Sequence, residues 1–200
     1  MLKTTGMLNN ELSNYANSGA VIRRMVRDGQ LTPVRHGLYE TDINTPGICL
    51  AMHIYGPSYL SFEFALSYYD LIPEAVTCFT SATFRKHKTK EYHTSFGIYS
   101  YRDVPESAYP WGLVLAYQNG YPYMIASPEK AVCDKLYTIS PVGNQKEMES
   151  LLYDDLRFDK TSFERMDHKK LQEMTTFYRT INHRIFRSYI QREFIHVRNH

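Results

Sequence analysis

Hydrophobic positions in the first forty residues recur every three to four residues. Leu8, Leu12 and Tyr15 fall at helical spacing. At about 100° per residue, Val21, Ile22, Met25 and Val26 gather into one arc of about 140°. Arg23, Arg24 and Arg27 occupy a separate arc, with Ala20 between the two. The pattern predicts a short helix within 7–17 and an amphipathic helix over about 18–28. Asn17 or Ser18 supplies a capping oxygen, and Gly29 supplies the left-handed position that ends the second helix. Beyond it, Leu31, Val34 and Tyr39 are spaced like strand residues. Arg35-His36-Gly37 reads as the tip of a basic hairpin, where Gly37 permits positive φ.

The middle of the chain changes period. Ala75–Phe84, Tyr92–Tyr101 and Leu113–Ala126 read as β-rich runs within residues 48–126. Ser127-Pro128-Glu129 marks a helix start, with a serine cap, proline at the first position and an acid at the positive end. Residues 144–200 contain neither glycine nor proline and read as helical. From Asp167 onward, Leu171, Met174, Tyr178, Ile181 and Ile185 form a stripe at spacings of three and four. It suits a helix packed on its own domain or an oligomer face. The fold expected is mixed α/β (α+β). A small winged helix-turn-helix over 1–45 precedes a larger domain over 46–200, β-rich at about 48–126 and helical at about 127–200.

Composition narrows the class. The chain has 200 residues, of which 43% are hydrophobic and 22% charged, with a mean hydropathy of −0.44. This excludes disordered, collagen-like and membrane-embedded chains. No apolar run approaches the roughly 18 residues that span a bilayer. The first residues lack the apolar stretch of a secretory signal. Cys49, Cys78 and Cys133 form neither a CxxC pair nor a zinc pattern, so reduced, buried thiols in a cytoplasmic protein are expected. Of 17 tyrosines, eleven lie between Tyr55 and Tyr123. They suit half-buried strands with wet hydroxyls, or alternatively a recognition surface.

Net charge is +2, but it is unevenly placed. Residues 1–39 carry +3 and residues 176–200 carry +4, leaving −5 between them. A polyanion meets local fields rather than the total. Helix, turn, basic helix and basic hairpin is the order of a winged helix-turn-helix, whose second helix enters the major groove while the wing meets phosphate or the minor groove. The candidate DNA-binding residues are Ser18, Ala20, Arg23, Arg24, Arg27, Arg35 and His36. A second basic patch, Arg85, Lys86, Lys88 and Lys90, is either a solvated hairpin tip or a further contact. Arg184, Arg187 and Arg198 either extend the basic field or keep a terminal helix solvated.

Enzymatic readings have less to stand on. Capping accounts for Glu129 and a first-turn dipole role for Glu63. Asp154-Asp155 lacks the further acid of a metal-dependent nuclease, and His87 with His93 makes a poor metal site. No phosphate-binding loop, nucleophile elbow or dinucleotide fingerprint occurs. No catalysis, cofactor or metal is expected.

Three segments resemble one family. RRMVRDGQLTPVRHGLYE is similar to the winged-helix segment of the abortive-infection antitoxins (AbiEi-like). YLSFEFALSYYDLIPE (59–74) and ASPEKAVCDKLY (126–137) resemble two further segments of that family, in the same order. The resemblance covers about residues 7–140. It implies the antitoxin of a two-gene bacterial toxin–antitoxin system used in phage defence. Its winged helix would bind double-stranded operator DNA and repress its own operon, and its C-terminal domain would counteract a nucleotidyltransferase toxin without requiring a stable complex. A winged helix ordinarily opens with one more helix than the six residues before Met7 allow. Another segment, such as the C-terminal helices, is therefore expected to complete its core. The alternative from the residues alone is an interaction module that docks its basic face on an acidic protein.

Overall fold

Short polar side chains start the N-terminal helices where the periodicity asks for them. In the computed structural model, which describes residues 1–195, strand β1 (Leu2–Thr4) leads into α1 (Thr5–Glu11), and the Thr4 hydroxyl caps it by accepting from Met7 N at 3.2 Å. Asn17 rather than Ser18 caps α2 (Ser18–Arg27): its Oδ1 accepts from Ala20 N at 2.9 Å. The end of α2 is a Schellman motif. Gly29, at φ +73°, donates to Val26 O at 3.1 Å, and Gln30 donates to Met25 O at 2.9 Å.

Strands β2 (Thr32–Arg35) and β3 (Leu38–Glu40) form the expected hairpin around Gly37, at φ +75°. β1 pairs antiparallel with the other edge of β3, giving the order β1-β3-β2. This corrects the expectation that distant helices finish the small core. Leu8, Ile22 and Leu31 bury together with Leu12, Met25, Val26 and Tyr39 against the sheet. The residues before Met7 form the third strand and the start of α1, so the C-terminal helices contribute nothing to that cluster.

The larger domain is built on a six-stranded mixed sheet. A 3-10 turn at Gly47–Leu50 and α3 (Ala51–Ile54) lead into β4 (Tyr59–Leu60) and α4 (Phe62–Tyr68). There follow β5 (Phe79–Thr83), β6 (Lys90–Thr94), β7 (Gly97–Asp103), β8 (Leu113–Gln118) and β9 (Tyr121–Ala126). Their order is β6-β7-β5-β4-β9-β8, with β7 parallel to β5 and β9 parallel to β4. The runs Tyr92–Tyr101 and Leu113–Ala126 are therefore antiparallel hairpins rather than single strands.

The glycine- and proline-free C-terminal segment is helical but broken. Helix α5 (Pro128–Tyr137) is followed by α6 (Gln145–Ser150), a π turn at Leu151–Asp155, α7 (Lys160–Glu164), α8 (His168–Met174) and α9 (Ile181–Ile190). Asp159, Asp167 and Thr180 start new helices by accepting backbone N–H groups, so short polar side chains divide the segment without glycine or proline. The stripe from Leu171 to Ile185 is consequently split at Tyr178–Thr180. Leu171, Met174 and Tyr178 enter the core, while Ile181 stays exposed.

Tyr55, Tyr69, Tyr92, Tyr109 and Tyr121 are half-buried, as expected of the tyrosine-rich middle, but three others differ. Tyr59, Tyr99 and Tyr101 are fully buried, with hydroxyls donated internally to Asp134, Gly47 O (2.9 Å) and Ala51 O (2.7 Å) rather than to water. All three cysteines are free, with Cys49 and Cys133 buried and Cys78 half-buried. No helix among the described residues is long and apolar enough to cross a membrane.

The N-terminal unit is not a separate bead. A bulge between Pro33 and Arg35 turns Val34 inward. Val34 and Leu38 belong to the core cluster of the larger domain, and Val34 shares a groove wall with His93, Thr94 and Ser95. Pro33 lies on β2, an edge strand of the small sheet, where a strand tolerates proline.

Candidate nucleic-acid interface

Helix α2 buries only Ile22 fully, and Ala20, Arg23, Arg24 and Arg27 on its other side are exposed. The hairpin brings Arg35 and His36, both exposed, up against that helix. Arg23, Arg27, Arg35 and His36 line one groove of about 550 Å³, with Tyr39 and Pro33 among its walls and no carboxylate. A neighbouring groove of about 600 Å³ shares Arg35 and His36 and continues to His93, Thr94 and Ser95 at the β6–β7 turn. Arg24 lies outside both grooves. Arg27 also meets Asp28 at 3.1 Å, an exposed pair worth little.

Ser18 has a different place. It is half-buried, and its hydroxyl donates to Asn9 Oδ1 at 2.9 Å, tying α2 to α1. The second basic patch lines neither groove. Arg85 pairs with Glu106 at 2.6 Å, and Lys86 donates to Gly56 O at 3.1 Å with its ammonium 5.0 Å from the Tyr55 ring centroid. Asp103 organises this turn by accepting from the backbone N–H groups of Lys86 (2.7 Å) and His87 (2.6 Å). Lys88 is exposed and Lys90 half-buried. Among the C-terminal arginines, Arg187 donates to Thr175 at 2.8 Å, Arg184 is exposed and Arg198 lies outside the described residues.

The acids singled out in the sequence are engaged in structure. Glu129 accepts from the Ser127 hydroxyl at 2.8 Å and lies 3.1 Å from Lys170 Nζ. Lys130 is fully buried and pairs with Asp134 at 2.8 Å. Asp134, which the sequence reading passed over, is the centre of that network. It also accepts from Tyr178 (2.5 Å), Ser61 (2.7 Å) and Tyr59 (3.0 Å). Burial first, and then the Asp134 charge, push the hydroxyls of Tyr59 and Tyr178 well above the usual tyrosine range. The i, i+4 spacing of Lys130 and Asp134 was available in the sequence; their burial was not.

Glu63 bridges Lys135, at 2.7 Å, and Arg102. Burial alone would raise its carboxyl, but the hydrogen bond from Lys135 and the Arg102 charge outweigh that and hold it at about 2. Asp154 accepts from Ser150 at 2.8 Å. Among the described residues no group of three or more His, Cys, Asp or Glu is arranged to hold a metal ion.

No protein-family model matches the chain, and no curated protein matches it.

Proposed function

We propose that this protein is a DNA-binding antitoxin that represses its own operon, acts in the bacterial cytoplasm and is not an enzyme. One observation carries the DNA-binding half: Arg23 and Arg27 of α2 share a carboxylate-free groove with Arg35 and His36 of the hairpin. A duplex lying along that groove meets donors from two elements. Arginine is the usual bidentate reader of guanine, and each phosphate contact releases counterions. α2 is the recognition helix and the β2–β3 hairpin is the wing. The antitoxin half rests on the resemblance of segments 23–40, 59–74 and 126–137 to abortive-infection antitoxins. In this reading the larger domain counteracts a nucleotidyltransferase toxin.

The test is a gel-shift titration on the promoter of the protein's own operon at several salt concentrations. Arg23→Ala with Arg27→Ala is expected to weaken binding at least about a hundredfold and to flatten the salt slope, with the melting temperature unchanged. Equal promoter affinity for variant and wild type overturns the reading. Co-purification with the neighbouring gene product, without a shift of promoter DNA, would instead favour direct neutralisation of a partner by the basic face. Rescue of growth from a co-expressed nucleotidyltransferase toxin tests the antitoxin half separately.

A further inference from the structure

The two edges of the six-stranded sheet are finished differently. At one edge, β6 carries Lys90, Glu91 and His93. Charged side chains on an edge strand discourage further strands from adding to it. At the other edge, β8 has no such guard: from Trp111 to Gly120 the chain contains no charged residue. β8 pairs with β9 over its whole length without a register shift and holds no proline. Among the described residues its extensive contact is with β9 alone. Trp111, Val114, Leu115 and Tyr117 are 40–65% exposed, the densest run of large exposed apolar side chains among the described residues. Trp111 lies flat on Phe177, with the ring centroids 5.0 Å apart.

The backbone of β8 fixes what can be added to it. Asn119 and Gly120, at φ +51° and +81°, form the two-residue turn to β9. Gln118 and Tyr121 flank that turn and therefore exchange hydrogen bonds, as do alternate pairs along the hairpin. Gly112 continues the alternation by accepting from Ser127 N at 2.7 Å. Pro122, which has no N–H, falls on an intervening pair, opposite Tyr117. The N–H and C=O groups of Leu113, Leu115 and Tyr117 consequently point away from β9 and have no partner among the described residues. These groups are symmetric about Leu115. A second β8 running antiparallel pairs Leu113 with Tyr117, Leu115 with Leu115 and Tyr117 with Leu113, through about six hydrogen bonds. Leu115 then lies on a two-fold axis, and no charge faces a like charge. The same register brings Trp111 of one copy level with the Asn119-Gly120 turn of the other, where the space beside Gly120 is open. An unrelated strand meets the same backbone groups but lacks this side-chain match.

We propose that β8 is a dimerisation edge: two copies of this chain pair antiparallel through β8, centred on Leu115, and join their sheets into one. Dimer formation needs no DNA, so its failure and that of promoter binding are separate results. Sedimentation equilibrium of the full chain without DNA, from about 1 to 100 μM, is expected to show conversion from 23.4 kDa to twice that mass. Leu115→Lys and Leu115→Glu each set like charges against one another at the axis and should each weaken the dimer at least about tenfold. An equimolar mixture of the two variants puts lysine opposite glutamate and should restore the doubled mass. A wild-type chain that stays at 23.4 kDa at about 100 μM overturns the proposal. So does a dimer undiminished in both single variants, which would place the interface elsewhere. A mixture that stays monomeric excludes the two-fold pairing and overturns it equally. The wild-type mass needs no variant, so misfolding of either one does not obscure the result.

Discussion

Two clusters of charge in this protein have opposite environments. Between α2 and the β2–β3 hairpin, three arginines and a histidine stand exposed around a groove without a carboxylate. On α5, Lys130 and Asp134 are fully buried and paired, and Tyr59, Ser61 and Tyr178 hydrogen-bond to their charged atoms. Water solvates the first set, so its arginines are free to exchange solvent for phosphate. The second set has exchanged water for protein, which makes it costly to disturb. Charge marks function where the fold leaves it unmatched, and architecture where the fold matches it.

The sharpest way to break this comparison is to remove the centre of the buried set. Asp134→Ala leaves the Lys130 ammonium buried and unpaired and is expected to cost about 3–5 kcal/mol in chemical denaturation, with little dependence on salt. A loss under about 1 kcal/mol would mean the network is not what fixes α5.

His183 gives the next effect. It is buried and stacked on Tyr178 at 4.1 Å, with Nε2 2.9 Å from Cys133 O. Burial holds its imidazole at about 4, below the usual value of 6.5. The folded state therefore binds fewer protons than the unfolded chain between those values. Stability is complete above about 6.5 and falls as the pH drops towards 4, by about 3 kcal/mol at most. Unfolding curves across that window should lose this slope in His183→Gln. Glu63, held at about 2, gives a second, more acid loss between about 4.5 and 2, again because the folded group resists protonation. Glu63→Gln should remove it.

The exposed set responds the other way. Arg23→Ala with Arg27→Ala should change affinity without changing stability by more than about 0.5 kcal/mol. Arg24→Ala is the smallest and most discriminating change. Because Arg24 lies outside the groove, it should weaken promoter binding less than Arg23→Ala does, by under about tenfold in the same gel shift. The reverse ranking would relocate the contact face around α2.

Local rules were legible in the sequence wherever one residue carries them. Gly29 and Gly37 ended the helix and turned the hairpin as their φ freedom requires, and Ser127-Pro128 opened α5. The basic face of α2 and the tip at Arg35-His36 were readable because period and charge agree there. The hairpin itself was expected; that it lies against α2 and closes one groove with it was not readable from local spacing. Asp134 escaped because its partners lie at residues 59, 61 and 178, far apart in the chain. The C-terminal stripe misled because aspartate and threonine caps interrupt a helix as effectively as glycine, yet leave the hydrophobic spacing intact.

The inward turn of Val34 and Leu38 sets how the parts can be rearranged. Because those two side chains sit in the core of the larger domain, the orientation of the hairpin is not left to the chain between Glu40 and Gly47. A unit attached in this way cannot be moved onto another body by swapping residues 1–45 alone. The recipient would have to bring the apolar core that receives Val34 and Leu38. Substitutions in the core that receives these two side chains would therefore re-aim α2 and the hairpin together, although they lie outside the small sheet.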